Sequence, residues 1–278
     1  MFGTAARHRN QGYQVAHAGF TEGAPYDLLI RAGSAEAEIA CDRASAEEGR
    51  DVHRGAWIRL VEALDPDLQI WLAAHPGRYL LKLTLPQGLR AETATLAQLQ
   101  ARIRTLLAER RRADQDEAAI LRLDPLVLAA AQTDAAGLMG SLRREFGPEA
   151  HLAVMTAGAG VCVLAARAGR EDEVAGAIRR RMAAIAPARF SGTRPGILAM
   201  LVEDTDPAEW RHLRDRLELE GAARQFLTDP AARHVVAVTC VSRQELFDSE
   251  TEPALRFRNP MHPAARLPAL AAAVLSTA

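Results

Sequence analysis

The stretch from Tyr26 to His53, YDLLIRAGSAEAEIACDRASAEEGRDVH, constrains the fold more than any other part of the chain. It predicts a short strand carrying Asp27, a tight turn at Gly33, a second strand over Ala35 to Arg43, and then a helix. Side chains on a strand alternate between faces, so Glu36, Glu38, Ala40 and Asp42 point one way. Ala37, Ile39 and Cys41 point the other way, into a core. A hairpin that aims carboxylates at one spot, with a further Asp on the neighbouring strand, is how a divalent-metal site is built.

Around this hairpin the chain alternates helical and strand patterns, which predicts an α/β protein. Phe2 to Asn10 reads as a helix and Tyr13 to Ala18 as a strand. The chain starts abruptly for a domain, so part of the first helix is expected to be missing. Ser45-Ala46-Glu47-Glu48 forms a loop rich in capping residues, and the following helix is expected to stop at Asp65-Pro66. RYLLKLTL, Arg78 to Leu85, is a strongly apolar strand. The order to this point is α-β-β-β-α-β. Thr95 to Arg112 is a helix with Leu96, Leu99, Ile103, Leu106 and Leu107 on one stripe.

At 278 residues the length suits two domains. The polar segment Ala113 to Glu117 divides them into residues 1–112 and 118–278. The second part reads as another α/β domain with a mixed sheet. It contains a helix over Gln132 to Phe146, a hairpin turn at Gly158-Ala159-Gly160, and an apolar strand from Gly196 to Val202. A capped helix then runs from Asp206 to about Phe226.

With a formal net charge of −1, any pull toward nucleic acid must come from a local patch. Nearly all the positive charge is arginine; Lys82 is the only lysine. Cys41, Cys162 and Cys240 are far apart and flanked by apolar residues, which fits reduced thiols in a cytoplasmic protein. No apolar run reaches the ~20 residues of a membrane span. No nucleophile elbow, P-loop, zinc-binding HExxH or histidine pair with metal-ligand spacing occurs.

The segments GYQV, PYDLLI, AEIACDRASAEEGRDVH and RYLLKLTL resemble the PD-(D/E)XK nuclease superfamily, with its restriction-endonuclease-like αβββαβ fold. The resemblance implies an Asp on one strand and a Glu on the next that hold Mg²⁺, and a Lys two residues beyond the Glu that polarises the attacking water. Matched residue by residue, the Asp falls on Asp27, the Glu on Ala40 and the Lys on Asp42. Alanine binds no metal, and aspartate reverses the charge of lysine. The expectation is therefore a catalytically degenerate nuclease-like protein, without a cofactor, that binds nucleic acid or a protein partner and does not cleave.

Two alternatives stand beside it. An active Mg²⁺-dependent nuclease would use shifted carboxylates, Asp27, Glu38 and Asp42, with Asp27 and Glu38 on the metal and Lys82 replacing the motif lysine. A structural subunit would have no nucleic-acid role. Arg43, Arg50, His53, Arg110, Arg111 and Arg112 are the candidate phosphate contacts. The oligomeric state is not readable from the sequence.

Overall fold

The computed structural model describes residues 1–126, 135–147, 150–243, 245 and 254–277. The alternation read over Ala35 to Arg43 produces a strand, β3 (Ala35–Ser45), two residues longer than expected, and Gly33 makes the turn before it at φ 58°, a left-handed conformation that glycine adopts without strain. β2 (Leu28–Ala32) pairs antiparallel with β3, and β1 (Gln14–Ala16) pairs antiparallel with β2. The partner on the other side of β3 comes from far along the chain. β9 (Gly196–Glu203) runs parallel to it, with Glu38 opposite Gly196 and Ala40 opposite Leu198.

β10 (Val235–Ser242) and β11 (Leu255–Arg258) complete a mixed sheet in the order β1-β2-β3-β9-β10-β11. Every residue of β10 is buried, which explains its unbroken apolar sequence. One face of this sheet packs on α6 (Val174–Arg189) and α8 (Glu218–Leu227) through Ala40, Leu198, Met200, Met182 and Phe226. The other packs Leu28, Ile30 and Ile39 with residues of α1 (Phe2–Asn10) and α9 (Ala271–Val274).

The chain forms two compact units, but not in series. One is Met1–Gly49 with Glu173–Ala278; the other is Arg50–Asp172. The boundary expected at residues 113–117 falls inside the second unit, because β5 (Ala113–Gln115) pairs with β6 (Ile120–Pro125) and joins the sheet that holds β4 (Arg78–Leu85). β4 therefore does not extend the β1–β3 meander. The second unit is an insertion between β3 and α6, and the first unit closes across the insertion point where Glu173 N donates to Gly49 O at 2.7 Å. A Cβ on Gly49 would lie 2.5 Å from Val174 Cα, so only glycine fits this crossing.

The inserted unit has a five-stranded sheet, β5-β6-β4-β8-β7, with β7 at His151–Ala157 and β8 at Gly160–Ala168. One face carries α3 (Arg54–Ala74) and α4 (Thr93–Ala108), and the other meets α5 (Ala135–Phe146). α3 runs straight through Pro66, where the sequence predicts a stop. Proline there removes one backbone hydrogen bond, which the full burial of Leu64, Leu68 and Leu72 offsets. The helix expected over Asp206 to Phe226 breaks at Leu217, φ 57°, into α7 (Pro207–Asp215) and α8, while its capping box at Asp206 and Glu209 forms as expected. Gln132 lies outside the described residues; the helix expected from there is α5 in its described part.

Burial also fixes a pH response. His8 on α1 is 4% exposed, and burial, reinforced by the Arg256 guanidinium, pushes its pKa down to about 4. In the unfolded chain the same ring titrates near the ordinary value of about 6.5. The unfolded state therefore binds the proton first: the stability is fully present above pH 6.5 and is lost as pH falls toward 4. His8 is expected to contribute on the order of 1–2 kcal/mol of destabilisation between pH 7 and 5. Urea unfolding at both pH values checks this, with His8→Gln flattening the dependence.

Candidate functional site

The carboxylate face of β3 is where the sequence places chemistry, and it is covered by α6 and the loop after it. Asp27 precedes β2, and its backbone N–H donates to Ile39 O at 3.0 Å, which holds its side chain against β3. Asp27 Oδ2 accepts from Cys41 N at 2.7 Å and from Arg189 Nη2 at 2.5 Å. Asp42 Oδ1 accepts from Arg181 Nη2 at 2.8 Å, and its Oδ2 lies 3.3 Å from Arg189 Nη1. One guanidinium therefore clasps both aspartates. Arg189 Nε also donates to Pro25 O at 3.0 Å, which fixes the plane of the fork.

Arg181 and Arg189 lie eight positions apart on α6, about two turns, so both face the sheet from one side. The hydrogen bond and charge of Asp42 raise the Arg181 pKa. Glu38 takes a different set of partners. It is 0% exposed, accepts from Ser191 N at 2.9 Å and from the Ser191 hydroxyl, and lies 3.4 Å from Arg194 Nη1. Glu36 bonds Arg31 at 2.6 Å and Arg194 at 2.7 Å, and these bonds hold its pKa below the usual carboxylate range.

Four carboxylates (Asp27, Glu36, Glu38, Asp42) thus face four guanidiniums (Arg31, Arg181, Arg189, Arg194), a net charge of zero. Ala40, which the resemblance matches to the motif Glu, is 0% exposed and packs into the apolar core with Leu198 and Met200. Among the described residues, no group of three His, Cys, Asp or Glu side chains is placed to hold a metal ion. A divalent ion does not fit this donor set, because the oxygens that would face it are already engaged by Arg189, Arg181 and Ser191.

Of the candidate catalytic residues, the structure brings Asp27 and Asp42 to one guanidinium, with Glu38 on separate partners. Lys82 belongs to the inserted unit, on β4 in the other sheet, where its Nζ lies 3.4 Å from Asp124. β4 follows β3 in the chain but does not lie beside it in the sheet, where β9 occupies that place.

The candidate phosphate contacts do not form one patch. Arg43 is on β3, with its side chain 75% exposed and 3.7 Å from Glu203. Arg50 is 3% exposed and so presents no surface to a duplex. His53 immediately precedes α3, its ring 3.2 Å from Arg90. Arg110 and Arg111 follow α4 and bond His75 and Glu109 at 2.6 and 2.7 Å; Arg112 is exposed beside them. His75 is at the far end of α3, a helix of 21 residues, so His53 and the Arg110–Arg112 run are about 30 Å apart.

Arg181, Arg189, Ser191 and Arg194 were not identified from the sequence. For Arg181 and Arg189 the visible trace is the arginine content of α6, which reads equally well as a solvated helix face; Ser191 and Arg194, in the loop after it, carry no such trace. No protein-family model, curated protein or solved structure matches this chain.

Proposed function

We propose that the unit comprising residues 1–49 and 173–278 is a nuclease-like frame, of the restriction-endonuclease-like kind, that binds nucleic acid without cleaving it. The observation that carries this reading is the Arg189 clasp on Asp27 and Asp42, with Ala40 buried in apolar surroundings between Glu38 and Asp42. The fold reading is supported by element order. Past the insertion, and apart from the four-residue helix α2 (Ala18–Thr21) between β1 and β2, the elements α1, β1, β2, β3, α6 and β9 run α-β-β-β-α-β, the order that the resemblance implies.

Loss of cleavage follows from the electrostatics of the cluster. A metal-dependent nuclease needs carboxylate oxygens free to bind the ion and a base or lysine beside the attacking water. Here the carboxylates are held by fixed cations instead. The same substitution suits binding, since bare carboxylates would repel a phosphate backbone and a cluster of net charge zero does not.

A gel-shift titration of short duplex and single-stranded DNA tests the reading. Binding is expected at low salt and weakens as salt rises, because phosphate contacts release counterions. The DNA is expected to remain intact in Mg²⁺. No shift at low salt, or Mg²⁺-dependent cutting, contradicts it.

A further inference from the structure

The inserted unit carries a second feature, independent of the nuclease-like reading. Among the described residues, the α5 side of its sheet is only partly covered. Leu80, Val163 and Ala165 pack with Leu142 near α5, while a trough of about 500 Å³ runs over the rest of that face. It continues into a second hollow of about 400 Å³ that shares Thr84, Phe146, Ala150 and Arg167 with it. These volumes lie in the range of small-molecule sites, about 300–1,000 Å³.

The charges lining the larger trough are uneven. Lys82, Arg122 and Arg167 line it with one carboxylate, Glu145, and with Asp124 beside Lys82 the excess is one positive charge. Register explains why the three cations converge. Lys82 is the cross-strand partner of Arg122, and Arg167 is the partner of Thr84, two residues further along β4 on the same face. Two residues of strand span about 7 Å, so all three heads reach one region.

Like charges directly opposite one another on antiparallel strands are destabilising. Asp124 offsets Lys82 at 3.4 Å, but Arg122 and Arg167 have no ion-pair partner among the described residues. On α4 of the same unit Arg102, by contrast, is matched to Asp114 and Asp116 at 2.6 Å each. Two unmatched guanidiniums and a lysine in a concave site are a receptor for an anion with several oxygens. Phe146, whose ring centroid is 5.8 Å from Lys82 Nζ, gives the trough an aromatic wall.

We propose that this trough binds a small phosphate-bearing molecule of nucleotide size, with the phosphate oxygens on Arg122, Arg167 and Lys82. Calorimetric titration of the full chain with inorganic tripolyphosphate and with adenosine triphosphate tests it, at 0.15 M salt. Saturable one-site binding is expected for at least one of these probes. Arg122→Gln and Arg167→Gln, both at exposed positions, are each expected to weaken it roughly tenfold or more, the effect of one charged hydrogen bond. Circular dichroism confirms that the variants fold, and DNA binding by the other unit is expected to be unchanged in them. No saturable binding of either probe, or an affinity unchanged in the folded double variant, overturns the proposal. So does binding of a single-stranded oligonucleotide through these arginines when neither small probe binds.

Discussion

Glu38→Ala is expected to lower the stability of the discontinuous unit by about 3 kcal/mol, the largest effect of any single substitution in the carboxylate face. Glu38 is fully buried and bonds both the backbone and the hydroxyl of Ser191, in the loop that leads from α6 into β9. Removing it leaves a void in place of the carboxylate and releases this loop, while Arg194 keeps only Glu36. Glu38→Gln keeps the shape and one acceptor, so a loss of about 1–2 kcal/mol is expected. Urea midpoints at unchanged slope measure both. Equal effects of Ala and Gln would mean that charge alone, and not the acceptor geometry, holds the loop.

Arg189→Ala is expected to destabilise the same unit by about 2–3 kcal/mol, well above the ~0–1 kcal/mol of an exposed ion pair. The guanidinium is only 27% exposed, and its partners Asp27 and Asp42 are 26% and 11% exposed, so screening by water is limited. The loss leaves two partly buried carboxylates, Asp42 with Arg181 and Asp27 with the backbone N–H of Cys41. A double-mutant cycle with Asp27→Ala isolates the pair, with an expected coupling of about 1–2 kcal/mol. A coupling near zero would make the clasp an incidental surface contact.

What could be read from the sequence was local. The Gly33 turn, the alternation of Ala35–Arg43, the Asp206 capping box and the Gly158 hairpin depend on residues close together in the chain, and all form. The α/β class follows from the same patterns. The positions of β4 and β9 could not be read this way. Both are apolar strands of similar length, and periodicity does not say which one pairs with β3. The insertion moves the true neighbour of Glu38 to Gly196, on the far side of a complete second unit.

The site was legible to the same extent. Asp27, Glu38 and Asp42 were visible as carboxylates on a hairpin, and the resemblance assigned Ala40 and Asp42 to the motif's Glu and Lys positions. Their partners were not visible, because Arg189 and Arg194 reach the hairpin only through the long-range parallel pairing of β3 with β9. Pro66 and Leu217 mark the opposite failure. At Pro66 the burial of α3 overrides a strong local stop signal, and at Leu217 a left-handed residue breaks a helix that carries no glycine or proline there.

The account rests on arginine, and not a metal ion, holding the carboxylates of the hairpin. Calorimetric titration of the wild-type chain and of Asp27→Ala with Mn²⁺ measures this directly. The predicted result is no saturable binding at millimolar Mn²⁺ in the wild type, with an identical trace for Asp27→Ala. One-site Mn²⁺ binding to the wild type that disappears in Asp27→Ala would contradict it.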